Sequence, residues 1–586
     1  MQSTKLRVRP VVAALASLLA LPTVAYAATV ANPLCPTNTA NFNPSNGEDI
    51  VVPAGFKVSV FASGVNFPTG LAFQGNSQHF EVYVLESGHG LPSACNDQSA
   101  PSLGGDFDPN NPFTPDILVF DETGKLLRKL AKPTGSGTVQ TGGLQSEGPS
   151  VDIGFTNGFQ GGTLFATDSN QATHGGGQNS SSRIVTVDPQ TGKVTPFITG
   201  LPTGDHPTEQ LAFKSGWIYW SQGSTTNSGV VGRDNNGGLN QPDIPCQDIV
   251  LSTNTFDSGG GVHTSGYMPF GVTNPGGTVK AFLNTQTGVV RQGVCDGAIL
   301  RAQLNNPSNI QPFSWGYRNG YAIRFAPDNH PLHGAMLVGE DGPDERGARP
   351  SNGAPDNLHI ARQNADGTPD YHGWPDRFGF LPSSQAVFNP IGGPSDDLCV
   401  IDPVTHFCTA ASLALILSED VPIRDVLAFP PQAITSPLAI EAADSSFTGL
   451  DFVPNSFVGG PVQNGAVLYA LEGDFGFSPP NATDPAPEVG HEIRLLNFVG
   501  SQGNQMPALQ IQNFARNTTG DQAFITGASG FNRPTNIRFG PDGCAYIADY
   551  GAVRDVGADT HFVGPPANGP LLQIPATGVI WKICKE

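Results

Sequence analysis

Residues 208–222, TEQLAFKSGWIYWSQ, read as one β-hairpin: an apolar strand ending at Phe213, a Lys-Ser-Gly turn, and a second strand closed by a polar residue. The phrase returns at 69–86 (TGLAFQGNSQHFEVYVLE), 151–168 (VDIGFTNGFQGGTLFATD), 321–340 (YAIRFAPDNHPLHGAMLVGE), 448–472 (TGLDFVPNSFVGGPVQNGAVLYALE) and 535–549 (TNIRFGPDGCAYIAD). Its fixed points are Phe73, Phe155, Phe213, Phe325, Phe452 and Phe539. A lone hairpin cannot bury both faces, so a recurring one implies stacked neighbours. Six units set radially close the series and leave few open edges. The expected fold is all-β, a six-bladed β-propeller with long loop insertions; a long β-sandwich is the alternative.

The copies are unevenly spaced. A compact blade of four short strands needs about 40–45 residues, so the excess lies in loops, and loops on a rigid scaffold commonly build a site. The largest insertions are expected at 223–312 and 341–443, each directly after the second strand of a copy. Residues 53–586 read as a single propeller domain behind an irregular leader at 28–52. Strands are expected at 56–62 (FKVSVFA) and 578–584 (GVIWKIC), where the chain ends would meet in one blade. Residues 410–417 (AASLALIL) read as a short helix or a buried strand.

Residues 1–27 have the form of a secretory signal: Lys5, Arg7 and Arg9, then an apolar stretch, then Ala25-Tyr26-Ala27. No other apolar run reaches spanning length, so the chain is expected to be periplasmic or secreted, with no membrane span after signal removal. The formal charge is −21, and removing the signal takes away three cations and no acid. Such an acidic surface disfavours nucleic acid and anionic membranes as partners. Abundant glycine (72) and proline (52) lie between alternating apolar strands, which marks turn-rich β structure rather than disorder. Eight cysteines in an exported chain favour disulfides, although 105 pairings are possible. Local closure suggests Cys399–Cys408, Cys246–Cys295 and Cys544–Cys584, leaving Cys35–Cys95. There is no Cys-x-x-Cys, and no nucleophile elbow, His-Glu-x-x-His, P-loop or Gly-x-Gly-x-x-Gly fingerprint.

Five copies end their second strand in an acid, at Glu86, Asp168, Glu340, Glu472 and Asp549, with Gln222 as the sixth. Converging carboxylates would suit a hard cation such as Ca²⁺; wet strand ends would equally carry acids. His206, in the loop before the third copy, is a candidate general base. Arg318 and Asn319 precede the fourth copy, where a guanidinium fork can hold a negative oxygen. Gly342 and Pro343 follow its second strand, in a turn whose carbonyls suit Ca²⁺; an acidic turn is the alternative. Arg533 opens the last copy at a place comparable to Arg318.

Three segments carry a family resemblance: HPTEQLAFKSGWIYWSQGSTTNSG at 206–229; the run at 316–375 with Arg-Asn, Gly-Pro-Asp-Glu and Tyr-His-Gly-Trp-Pro in order; and residues 533–551. The chain resembles the soluble quinoprotein sugar dehydrogenases, the glucose/sorbosone dehydrogenase family, which depend on pyrroloquinoline quinone. The likeness covers most of 53–549 and implies a six-bladed propeller oxidising a sugar or other alcohol, with hydride passing to the quinone and then to an unidentified electron acceptor. It implies that His206 is the general base, that Arg318 polarises the accepting carbonyl, and that Asn319 lies beside it at the cofactor. It further implies that the Gly342 and Pro343 carbonyls bind Ca²⁺, that Arg533 pairs with a cofactor carboxylate, and that Gln145 contacts the cofactor.

Three positions depart from the family pattern. Glu472 and Glu209 stand where relatives often carry a basic residue, and Thr535 stands where the glucose-oxidising members have an arginine. Each missing cation leaves a cofactor carboxylate less compensated. Two other functions therefore stay open: a Ca²⁺-dependent lactone hydrolase, in which the cation polarises an ester carbonyl, and a non-catalytic propeller that binds a glycan or a protein.

Overall fold

The computed structural model describes residues 29–31, 39–88, 110–136, 139–145, 148–169, 182–234, 238–239, 241–258, 261–281, 294–344, 347–349, 351, 353–382, 423–473, 489–499, 508–555 and 571–586. The signal-like segment, the stretch 410–417 and the pairs Cys399–Cys408 and Cys35–Cys95 lie wholly or partly outside these residues. The hairpins of the sequence repeat are the inner halves of six antiparallel sheets of four or five strands. Each blade starts with an innermost strand: Pro68–Gly75, Ile153–Phe155, Thr208–Lys214, Asn319–Phe325, Phe447–Phe452 and Pro534–Phe539. The fold is the expected six-bladed β-propeller.

The ring closes where the two chain ends pair. Phe56–Val65 runs antiparallel to Gly578–Lys585 and supplies the outer strand of the sixth blade. The first of these strands alternates apolar and polar residues at its start, whereas Val579, Ile580, Trp581 and Ile583 of the second are all buried. Cys544–Cys584 ties the same C-terminal strand to the start of the neighbouring strand Ala545–Asp549. The 28–52 stretch, read as an irregular leader, contains three short strands, and one of them, Ile50–Val51, extends the fifth blade.

The region 223–312 contains the third strand of the third blade, Ala298–Gln303, and most of the fourth, Asn306–Trp315, which runs past its end. The preceding excursion is tied back by Cys246–Cys295. Inside 341–443 lie the outer strands of the fourth blade, Asn357–Ala361 and Ala439–Ile440, while Asp370–Tyr371 crosses to pair in parallel with the third blade.

A second aromatic explains why the phenylalanines recur. On the neighbouring strand of four blades, Tyr83, Phe165, Tyr219 and Tyr546 occupy one register and pack on the Phe of the next blade. The ring centroids are 5.1 Å apart for Tyr83–Phe155, 5.5 Å for Phe165–Phe213, 4.8 Å for Tyr219–Phe325 and 5.0 Å for Tyr546–Phe73. Leu337 and Leu468 hold the same register in the remaining blades and share apolar clusters with Phe452 and Phe539. Each such contact buries apolar area at a blade boundary, so the repeat encodes both the hairpin and its seam.

The channel is plugged near its middle by polar side chains. Arg538 Nη2 lies 3.0 Å from Gln210 Oε1 and 3.4 Å from Asp152 Oδ2. Gln210 Nε2 donates to the Thr448 carbonyl at 2.8 Å, and Asn536 Nδ2 donates to the Thr69 carbonyl at 2.7 Å. This plug divides the axis into two ends. One is formed by the loops entering the innermost strands; the other is formed by the phenylalanines where those strands finish.

Candidate functional site at the loop end of the channel

The strand-end acids mostly fasten loops. Glu86 accepts Asn66 N–H, Asp168 accepts Gln145 N–H at 2.9 Å, and Glu340 accepts Arg318 N–H at 2.7 Å. Asp549 accepts both Asn532 and Arg533 N–H groups at 2.8 Å. Gln222 does related work with different chemistry: its Oε1 accepts from Thr208 Oγ1–H and its Nε2 donates to the Pro202 carbonyl, both at 2.9 Å. The expected convergence of these acids on a cation is corrected: among the described residues no three His, Cys, Asp or Glu side chains form a metal-holding group. A carboxylate has only acceptor sites, and the loop turning into each innermost strand has N–H groups to satisfy.

These fastened loops carry the predicted residues. His206, Arg318 and Arg533 each stand just before an innermost strand at the same end of the channel. His206 and Arg318 are brought together by one carboxylate. Asp205 Oδ2 lies 3.1 Å from His206 Nδ1 and 2.9 Å from Arg318 Nη2. Their backbones are stitched through Ser224, whose N–H donates to the Arg318 carbonyl at 2.8 Å and whose carbonyl accepts His206 N–H at 3.0 Å. Gly223 makes room for this approach, because a Cβ there would lie 2.2 Å from His206 Cβ and 3.2 Å from Asn319 Oδ1. No other residue fits at that point.

Arg318 is buried and held on several sides. Its Nη1 donates to the Gly342 carbonyl at 2.9 Å and its Nη2 also reaches Asp344 Oδ2 at 2.6 Å. Gly342 N–H donates to Asp356 Oδ1 at 2.7 Å, and Pro343 is buried beside it. Asn319 Nδ2 donates to Asp341 Oδ2 at 3.0 Å. Arg533 Nη1 donates to the Gly473 carbonyl at 3.0 Å. Gln145 is tied to Asp168 through its backbone N–H and, at 3.3 Å, through its amide. Thr535 is spent on the Pro68 and Ala548 carbonyls.

The two departing acids, Glu209 and Glu472, are buried at this end. Burial pushes the Glu472 carboxyl up to about 8; Arg533 opposes this and Asp549 adds to it. Burial also lifts Glu209 well above the carboxylate range, with the Glu472 charge adding to the effect. Glu472 therefore holds a proton at neutral pH and presents an O–H donor rather than added negative charge.

One constellation was missed by sequence reasoning. Glu340 Oε2 lies 2.6 Å from His359 Nε2, His359 Nδ1 lies 3.1 Å from His372 Nδ1, and His372 Nε2 lies 3.0 Å from Asp370 Oδ2. All four side chains are buried, and Tyr317 stacks on His372 with centroids 4.7 Å apart. Three links between four groups require three protons, so one imidazole is cationic when both carboxylates are ionised. Desolvation lowers the His359 pKa. The relay ends on the carboxylate that holds Arg318. The only sequence signals were the acid at the strand end and the Tyr-His-Gly-Trp-Pro run, and neither reports a contact.

The donor set fits a hard cation. Glu209 Oε2, Asn319 Oδ1 and Asp341 Oδ1 are buried oxygens without a hydrogen-bond partner among the described residues. With the Gly342 carbonyl nearby in sequence and several carboxylates around one guanidinium, oxygen ligands and negative charge are both in supply. The set also fits an anionic quinone seated on that cation. Arg318 and Arg533 are buried cations at the same end, and Glu472 is a neutral donor.

No family model and no curated protein sequence matches the chain. Three solved structures resemble it over most of its length. A calcium structure of the Trichoderma reesei carbohydrate-active enzyme family AA12 has a TM-score of 0.47 at 14% identity, covering 92% of this chain and 98% of that one. The holo form of the pyranose dehydrogenase PQQ domain from Coprinopsis cinerea has a TM-score of 0.46 at 12% identity, covering 91% and 97%. A putative oxidoreductase (glucose dehydrogenase) from Thermus thermophilus has a TM-score of 0.42 at 14% identity, covering 90% and 99%. At these scores the likeness is descriptive, and the propeller assignment rests on the strand order given above.

Proposed function

We propose that this propeller is an exported oxidoreductase that oxidises a sugar or another alcohol at a C–OH carbon, with His206 as general base. The supporting observation is the single Asp205 oxygen that reaches both His206 and Arg318. The Asp205 carboxylate, 3.1 Å from Nδ1, favours the tautomer protonated there, with Nε2 as the basic nitrogen. The Asp205 carboxylate then stabilises the imidazolium formed when Nε2 takes the hydroxyl proton. Arg318, fixed by Asp205, Asp344 and the Gly342 carbonyl, presents an oriented cation beside that base. Gly342 and Pro343 would hold Ca²⁺, while Arg318, Asn319, Arg533 and Gln145 would hold the quinone. When bound, the quinone supplies the electron sink and Ca²⁺ supplies Lewis acidity. The two disulfides suit an oxidising compartment. Among the described residues no helix is long and apolar enough to cross a membrane.

The test is an absorption titration of the calcium-loaded protein with pyrroloquinoline quinone, followed by turnover with a panel of aldoses and an artificial electron acceptor. Saturable quinone binding and aldose oxidation are expected. His206→Ala is expected to lower turnover by about 10²–10⁴-fold while quinone binding persists. Full activity in that variant removes the assignment.

The unpartnered oxygens of Glu209, Asn319 and Asp341 favour one second reading, a Ca²⁺-dependent lactone hydrolase. Calcium-dependent opening of a sugar lactone without added quinone would establish it in place of the first.

A further inference from the structure

We infer that the end of the channel opposite His206 is a second small-molecule site, for an aromatic or similarly flat apolar carboxylate. A cavity of about 320 Å³ opens there, which is within the size range of ligand pockets. Its walls come from the ends of the innermost strands, including Phe73, Phe155, Phe213, Phe325 and Phe539, and Arg324, Asp451 and Arg538 form its polar part. Phe159 stands at the rim with 43% of its surface exposed. The polar plug of Asp152, Gln210 and Asn536 separates this cavity from the loop end.

The hydrogen-bond balance in the cavity selects the ligand chemistry. Asp451 is satisfied: its Oδ1 accepts Phe452 N–H at 2.9 Å and its Oδ2 accepts Phe539 N–H at 3.0 Å. Arg324 Nη1 donates to the Leu211 and Ile323 carbonyls, and its Nε lies 3.7 Å from Asp451. Among the described residues the buried Nε of Arg538 has no hydrogen-bond partner, and the hydrogen bonds of Arg324 leave its Nη2 unused while its charge faces Asp451 and Asp152. Donors are left over while the acceptors are committed. A ligand with an acceptor head and an apolar body matches both parts, and a carboxylate head uses a guanidinium best. The phenylalanine edges and faces suit a flat ring.

The experiment is calorimetric titration of the full-length protein with 2-naphthoate and with its neutral analogue 2-acetonaphthone. Saturable one-to-one binding of 2-naphthoate, at least ten-fold tighter than the ketone, is expected. Arg324→Met should erase that preference. Phe159→Ala, at an exposed rim position where folding is not at stake, should weaken both ligands several-fold. Binding should also survive in His206→Ala, which separates this site from the proposed oxidation site. Absence of saturable binding, equal affinity for the two ligands, or indifference to Phe159→Ala would overturn the proposal.

Discussion

Glu340 and Glu472 close the second strands of adjacent blades one register step apart, with Leu471 at the place of Glu340, and they do opposite things. Glu340 is surrounded by donors: Arg318 N–H, His359 Nε2 and, at 2.9 Å, Asn357 Nδ2. Glu472 fastens no loop through its carboxyl among the described residues. The fifth-blade loop is held by Asp356 instead, which accepts Ser446 N–H at 2.7 Å and Ser445 Oγ–H at 2.9 Å. The fifth blade has thus passed the fastening task to its neighbour. That leaves Glu472 as a buried acid facing Arg533 and Glu209, with its proton retained. A shift of one residue at the strand end therefore separates a structural anion in one blade from a neutral acid beside the candidate site in the next.

The contrast is broken most strongly at Glu340. Glu340→Leu removes the acceptor for Arg318 N–H and strands His359 in the interior. Leaving three buried donors without their acceptor costs about 1–3 kcal/mol each before rearrangement, and urea unfolding should show that loss. Turnover should fall with it, because Arg318 loses its anchor. Retention of wild-type stability would mean that Glu340 is no more a fastener than Glu472.

Glu472→Gln should act in the other direction. A carboxyl whose pKa is raised to about 8 on folding binds more protons folded than unfolded. Stability therefore falls as pH rises from the unfolded carboxylate pKa towards 8. The linkage relation gives a wild-type loss of about 3 kcal/mol between pH 5 and pH 8. The glutamine variant lacks this slope, so it should be the more stable protein at pH 8 and gain little at pH 5. Parallel pH–stability curves for the two proteins would show that Glu472 is ionised.

Asp356→Ala sharpens the same comparison at an intermediate scale. It frees Ser446 N–H, Ser445 Oγ and Gly342 N–H from their shared acceptor. Leaving buried donors unsatisfied costs about 1–3 kcal/mol each before rearrangement. We expect a net loss of about 2 kcal/mol in chemical unfolding. If instead Asp356→Ala is neutral while Glu472→Ala is costly, the fifth-blade loop depends on Glu472 after all.

The fold was legible because its signal is local. The hairpin, its phenylalanine and its polar end all sit within one short copy, and the closing strands are short apolar-rich runs at residues 56–62 and 578–584. The site was legible only in part. His206 and Arg318 stand out by residue type, but Asp205, which joins them, meets Arg318 across 113 residues. No pattern in the sequence marks that meeting. His359 and His372 are hidden for the same reason. The strand-end acids were misleading in a definite way: a soluble-looking carboxylate at a strand end is also the side chain that a turning backbone needs, and composition cannot separate the two.

Gln222 shows that the fastening rule is chemical rather than compositional. Its loop offers a hydroxyl donor, from Thr208, and an acceptor, the Pro202 carbonyl, so the side chain must accept at one end and donate at the other. Glutamine does this and an ionised acid cannot. Gln222→Glu therefore places a carboxylate oxygen against the Pro202 carbonyl, at a cost of about 1–2 kcal/mol. The loss should be largest above neutral pH. It should diminish on acidification, because a protonated glutamate regains a donor and the folded state then binds the extra proton. A Gln222→Glu protein as stable as wild type at pH 8 would mean that an acid serves at position 222 as well as at position 340, and the chemical distinction between Glu340 and Gln222 would lose its basis.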